Sequence, residues 1–145
     1  MTGIRPLEPG DGPVWRLLWR DYLAFYATEL PEAVYAASFA RLTDPGVRDY
    51  AGLLATREGA PVGLAHYIFH RHGWHVADVC YLQDLYVMPE ARGTGAGRAL
   101  IEAVYAEADA AGAAGVYWLT QASNLAARRL YDRIGNATPF VKYVR

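Results

Sequence analysis

The run from Leu85 to Arg98, Leu-Tyr-Val-Met-Pro-Glu-Ala-Arg-Gly-Thr-Gly-Ala-Gly-Arg, constrains this chain more than any other. An apolar, β-like stretch stops at Pro89. A loop with glycine at 93, 95 and 97 follows. Then Leu100, Ile101, Val104, Tyr105 and Ala108 recur at helical spacing until Gly112. Strand, glycine loop and helix thus come in direct succession. Without Cβ atoms in the way, successive backbone N–H groups can turn toward one point. The helix N-terminus adds its own free N–H groups and the positive end of its dipole. Arg92, Gly93, Thr94, Gly95, Ala96, Gly97 and Arg98 are therefore expected to cradle a phosphate or pyrophosphate.

Three nucleotide loops fit such a cradle unequally. A Walker loop ends in Gly-Lys-Ser/Thr, and this one ends Gly97-Arg98-Ala99, with no lysine for a γ-phosphate and no hydroxyl for Mg²⁺. A dinucleotide fingerprint wants a small residue at its third glycine position, where this chain has Leu100, and it belongs to a first βα turn. The third pattern is Arg-x-x-Gly-x-Gly, met here by Arg92, Gly95 and Gly97. Downstream, Val116-Tyr117-Trp118-Leu119-Thr120 reads as a short buried strand. Ser123 or Asn124 can cap a helix that carries Ala127, Leu130, Tyr131 and Ile134 on one face and stops at Gly135.

Together, Arg92-x-x-Gly95-x-Gly97 and Asn124-x-x-Ala127-x-x-Leu130-Tyr131-x-x-x-Gly135 resemble the two cofactor segments of the GNAT superfamily, the Gcn5-related N-acetyltransferases. Tyr81 to Val87, Val116 to Trp118 and the tail Pro139 to Tyr143 are similar to the small yeast-type branch acting on polyamines, histone tails or D-amino acids. The resemblance implies an α+β fold: a mixed, mostly antiparallel twisted sheet flanked by helices, in the order β-α-α-β-β-β-α-β-α-β. It implies acetyl-CoA as cosubstrate, with the Gly93 to Arg98 amides on the pyrophosphate. Backbone groups of Leu85, Tyr86 and Val87 would lie along the pantetheine, the Tyr86 N–H meeting the thioester oxygen. Asn124 and Ala127 would lie along the same arm, and Arg128 is a candidate for the 3′-phosphate. A homodimer formed through the C-terminal region is implied as well.

Composition bounds the rest. At 145 residues, with 53% hydrophobic content, the chain is expected to be one domain spanning 1–145. A formal charge of −1 supplies no basic surface for nucleic acid, so none is expected as a partner. No apolar run is long enough to span a membrane, and the N-terminus has no signal-peptide pattern. Cys80 is the only cysteine, which suits a reducing cytoplasm. From the residues alone, strands are expected over 4–7, 50–56, 61–69, 76–88, 116–120 and 139–144. Helices are expected from Asp11 to Tyr26, from Pro31 to Leu42, from Arg98 to Ala111 and from Ser123 or Asn124 to Ile134.

Acetylating an amine requires a neutral nucleophile, a donor for the oxyanion and a donor for the leaving sulfur. Tyr131 is the candidate acid, since a phenol stays protonated at neutral pH. Asp84 is the candidate base, acting directly or through water; its alternatives are to hold a cationic amine or to be a structural carboxylate. Related polyamine enzymes carry a Glu-Asp pair where this chain has Gln83-Asp84, and an amide cannot take the proton. Tyr81 and Gln83 are assigned to the acceptor side of the strand, and Trp19, Tyr22 and Tyr26 to its roof, where aromatic faces suit a cation. His66, His70 and His72 share strand parity and so a potential face. Their spacing is weak grounds for zinc, and no metal is expected; one of them taking the amine's proton is the stronger alternative. The function read is acetyl transfer to a small primary amine. A D-amino acid or a protein tail is the alternative acceptor. A catalytically weak acyl-CoA-binding protein is the alternative outside catalysis, on the strength of Gln83.

Overall fold

The computed structural model describes residues 1–145. The elements run β1 (Thr2–Pro6), α1 (Gly12–Phe25), α2 (Glu32–Leu42), β2 (Tyr50–Arg57), β3 (Ala60–His70), β4 (Val79–Val87), α3 (Ala96–Ala110), β5 (Val116–Tyr117) and α4 (Leu125–Ile134). The five strands form one sheet in chain order. Pairing is antiparallel from β1 to β4 and parallel between β4 and β5. This is the expected mixed α+β architecture.

Each sheet face buries its own core. Leu53, Ala65, Tyr67, Cys80 and Leu82 meet Leu100, Ile101 and Val104 of α3 on one face. Leu54, Leu64 and Tyr86 meet Trp15, Leu18 and Trp19 of α1 and Tyr35 of α2 on the other. Helices on both faces explain why β2 and β3 read as near-continuous apolar runs rather than as alternating ones. Pro13 lies in the first turn of α1, where its missing N–H costs no helical hydrogen bond. Asp11 precedes α1 as expected but does not cap it. Its carboxylate takes both Arg5 guanidinium nitrogens at 2.7 and 2.8 Å and the Glu8 N–H at 2.7 Å. Arg5 holds its carboxyl below the usual carboxylate range.

The strand expected as buried over 116–120 is cut to Val116–Tyr117, with Tyr117 and Leu119 exposed. Two further features depart from the sequence expectation. The strand expected at 139–144 does not form. Phe140, Val141, Tyr143 and Val144 are exposed, and β5, the edge they would extend, is two residues long. A strand needs a neighbour's backbone to pair with, and an edge of two residues offers little. The second departure is a β-bulge. His66 pairs with Asp84 but Tyr67 pairs with Leu82, so Gln83 is an extra residue in β4. Strict alternation would put Tyr81 and Asp84 on opposite faces. The bulge puts both on the α1 side.

Candidate active site

The two sheet strands that carry the motifs part company. β5 pairs with Cys80 and Tyr81 only, while β4 continues to Val87. From Leu82 onward one edge of β4 is open. Its free groups follow from the pairing pattern. The Met88 N–H donates to the Val62 carbonyl at 2.9 Å. Counting back in twos, Tyr86 and Asp84 also direct their backbone groups to β3. Leu85 and Val87 therefore face the open side. The Tyr86 N–H, expected to meet the thioester oxygen, is turned away from it. Arg92 Nε donates to the Val87 carbonyl at 3.1 Å and ties the loop to the strand end.

The glycine loop leads straight into α3. Gly93 and Gly95 have φ of +76° and +87°, a region that L side chains rarely adopt. A Cβ on either would meet nothing within 4 Å, so the space above the loop is clear. The Thr94 hydroxyl is turned back to the Ala91 carbonyl. Ala96, Gly97 and Arg98 form the first turn of α3, whose N–H groups have no intrahelical acceptor. The Arg98 guanidinium is drawn along the helix to Glu102 at 2.8 Å, so Arg98 offers its backbone to the loop rather than its charge. A Cβ on Gly97 would lie 3.5 Å from Leu130 and 3.8 Å from Val87. The two sequence motifs, some thirty residues apart, thus meet at the mouth of the open edge.

Asn124 caps α4, its Oδ1 accepting from the Ala127 N–H at 3.3 Å. Arg128 donates to the Ala122 carbonyl at 2.9 Å, which folds its guanidinium onto the preceding loop. Tyr131 packs edge-on against Trp118, with ring centroids 5.5 Å apart. Burial, with the Tyr26 phenol adding to it, pushes the Tyr131 phenol up to about 12. Tyr26 follows the last residue of α1, so the end of that helix lies near enough to α4 for its phenol to bear on Tyr131. Tyr26 packs on Tyr22 at 5.2 Å, and Tyr22 on Tyr86 at 6.3 Å.

Asp84 sits behind this aromatic arc and is 6% exposed. Burial first, and then its negative charge, hold the phenols of Tyr22 and Tyr50 well above their ordinary value. Tyr81 is raised by burial, then by Tyr117 and by Asp84. Tyr81 stacks on Tyr117 at 4.7 Å. Gln83, the bulged residue, is exposed beside them. Trp19 does not belong with these residues. It is 4% exposed, stacked on Trp15 and edge-on to Tyr35, and forms core rather than a surface for a cation.

The partner that sequence reasoning missed is His66. Its Nδ1 is 2.8 Å from Asp84 Oδ2, and its Nε2 accepts from Trp15 Nε1–H at 2.9 Å. With the ring fully buried and both nitrogens occupied, His66 cannot reach an amine. The only advance signal was the register that places it opposite Asp84. His70 is elsewhere: its Nδ1 is 2.7 Å from the Arg71 carbonyl and its Nε2 2.7 Å from the Tyr117 hydroxyl. His72 lies beyond β3 and packs on Trp74 and His75. His66 and His70 do project from the same face of β3, as their parity predicts, but they hydrogen-bond to different partners, and His72 is outside the strand.

Comparison with known proteins agrees with this arrangement. The model of the acetyltransferase (GNAT) family matches residues 13–135. The D-amino-acid N-acetyltransferase HPA3 of Saccharomyces cerevisiae is 41% identical over 143 residues, covering 98% of this chain and 89% of that protein. Among solved structures, the aminoglycoside acetyltransferase AAC(6')-Iy, in complex with a bisubstrate analogue, superposes with a TM-score of 0.86 at 19% identity, over 100% of this chain and 97% of that one. A ribosomal-protein-alanine N-acetyltransferase from Brucella melitensis gives 0.79 at 21% identity, over 100% and 98%. With a glycine cradle at a helix N-terminus, an edge of β4 left open beside it, and a family match across most of its length, this chain belongs to the GNAT family of acetyltransferases and is an acetyl-CoA-dependent N-acetyltransferase.

Proposed function

We propose that the protein acetylates a small primary amine by direct attack on acetyl-CoA in a ternary complex, with Asp84 and Tyr131 on opposite sides of the reacting carbon. The observation that carries this reading is the open edge of β4, where Leu85 and Val87, between the glycine loop and Asp84, have no strand partner on the β5 side. The Gly93 to Arg98 amides hold the pyrophosphate, and Asn124 and Ala127 border the pantetheine arm. The N–H of Leu85 or Val87 donates to the thioester oxygen as it gains charge. Asp84 takes a proton from the ammonium, directly or through water. A C–N bond then forms and the C–S bond breaks. Tyr131 hydrogen-bonds through its O–H to the departing sulfur, the nitrogen sheds its second proton to solvent as the amide forms, and solvent protonates the released thiolate. Tyr22, Tyr26 and Tyr81 line the amine's side, with Gln83 at its rim. Nothing in this sequence of steps requires an acyl-enzyme, and burial pushes the Cys80 thiol up to about 11, away from the nucleophilic thiolate.

The 41% relative favours one acceptor class over the others: an amino acid of D configuration. The discriminating experiment follows CoA thiol release from acetyl-CoA with D- and L-amino acids, polyamines and an aminoglycoside. Turnover with D-amino acids above the rest supports the reading. Absence of turnover with every amine, alongside intact acetyl-CoA binding, overturns it in favour of a binding protein. Binding itself has an expected size. Acetyl-CoA at about 100 Kd stabilises the fold by about 2.7 kcal/mol, a rise in Tm of roughly 5–10 °C for a domain of this size. Gly95→Val should remove that rise, because a branched side chain strains a backbone at φ +87° and fills the clear space above the loop. A full rise in the folded variant would move the pyrophosphate elsewhere.

A homodimer accounts for the tail. Phe140, Val141, Tyr143 and Val144 are exposed beside a sheet that ends in a two-residue edge, and an apolar segment of this kind is normally covered. Light scattering at micromolar concentration should give twice the 16.0 kDa chain mass; the mass of a single chain would count against the dimer. No helix is long and apolar enough to cross a membrane. A lone buried thiol suits the cytoplasm, where we place the protein.

A further inference from the structure

The indole N–H of Trp15 can only donate a hydrogen bond. It points at His66 Nε2 from 2.9 Å, so that nitrogen must present its lone pair. The imidazole proton is then on Nδ1, which lies 2.8 Å from Asp84 Oδ2 and donates to it. We propose that Trp15 and His66 are positioning residues for catalysis: Trp15 fixes the tautomer of His66, and the His66 Nδ1–H fixes Asp84 through its Oδ2. The proposal rests on the reading of Asp84 as the base.

The surroundings fit a fixed device. His66 and Trp15 are 0% and 1% exposed, so water does not compete for either bond. Trp15, Trp19 and Tyr22 face the cluster from α1, Tyr50 from β2, and Tyr81 and Asp84 from β4. The cation whose charge reaches the Tyr50 phenol is Arg41. Gly52 backs the ring: a Cβ there would stand 3.3 Å from His66 Cδ2 and collide with Leu7. A second proton on His66 would have to enter at Nε2, against the Trp15 N–H. The Trp15 N–H thus blocks Nε2 to a proton and keeps the Nδ1–H directed at Asp84 Oδ2.

The test has a spectroscopic and a kinetic arm. In the wild-type protein at about pH 7, nitrogen NMR of labelled histidine should show His66 protonated at Nδ1 and unprotonated at Nε2; a proton on Nε2 overturns the proposal. Trp15→Phe removes the donor and leaves an aromatic ring in the core. Its kcat/KM should gain an added acid limb, falling about 10-fold more than wild type between pH 8 and pH 6, with KM for acetyl-CoA unchanged. A profile parallel to wild type overturns the proposal. His66→Asn keeps a donor near the Nδ1 position and should retain about a tenth or more of kcat/KM, whereas His66→Leu should lose about 100-fold. Equal losses in the two would make His66 mere packing and overturn the proposal even if Trp15→Phe does not fold. Failure of the underlying reading looks different: Asp84→Asn would then keep full activity, while the wild-type tautomer remained as described.

Discussion

Asp84→Asn should lower kcat/KM by about 100- to 1,000-fold near neutral pH, and the deficit should shrink as the pH rises. The direction follows from the amine. An aliphatic ammonium titrates near 10 and even the α-ammonium of a peptide near 8, so at pH 7 most acceptor molecules carry the proton that blocks attack. With Asp84 in place the site removes that proton from the bound ammonium. With an amide in its place the site must wait for the free amine, whose share grows tenfold per pH unit until the amine's own pKa. The variant's log kcat/KM should therefore climb more steeply than wild type between pH 6 and pH 9. The fold should tolerate the change, because the oxygen of the new amide can still accept from His66 Nδ1–H, as Asp84 Oδ2 does at 2.8 Å. The measurement is the pH profile of CoA release in both proteins, beside their melting temperatures. A folded variant whose profile overlays wild type would remove Asp84 from the chemistry and leave it as a hydrogen-bonded core carboxylate.

The glycine loop and the Asn124 cap were legible because their information is local. Gly93, Gly95 and Gly97 before a helical pattern, and Asn124 seven residues before Tyr131, are short-range statements about φ, capping and helix face. The structure adds that Leu130 and Val87 close around Gly97, a contact that neither motif contains alone. The surroundings of Asp84 were less legible because their information is relational. One bulge at Gln83 reverses the parity of β4 and brings Tyr81 and Asp84 to one face, and no residue at 83 announces it. His66 was grouped with His70 and His72 by parity, yet what decides its role is the strand opposite and the Trp15 indole from α1. Trp19 looked like a cation platform by composition and is core by packing. The tail fails as a strand for a third reason: Pro139 to Val144 carries strand-like residues, but pairing is a property of two segments, and the terminal strand β5 is only two residues long.

Tyr131→Phe separates hydrogen-bond donation from proton transfer at the leaving sulfur. Burial pushes this phenol up to about 12, whereas an alkyl thiol titrates near 8.5. Complete transfer of the proton to a free thiolate would thus run uphill by about 3.5 pH units, roughly 5 kcal/mol. The same burial keeps the O–H in place at every working pH and makes a hydrogen bond to developing charge stronger than it would be in water. Tyr131 is therefore best suited to stabilise the sulfur while the C–S bond stretches, with solvent completing the protonation afterwards. Deleting the hydroxyl while keeping the ring against Trp118 should lower kcat by about 10- to 1,000-fold with little change in acetyl-CoA affinity. The loss should be constant from pH 6 to pH 10, since the phenol does not ionise in that window, and this sets it apart from the pH-dependent loss in Asp84→Asn. Part of the defect should disappear when the acyl donor carries a better leaving thiol, such as an aryl thiol, because a more acidic thiol needs less help. Wild-type kcat in Tyr131→Phe, under conditions where acetyl transfer limits turnover, would return Tyr131 to the helix core with Leu130 and Ile134.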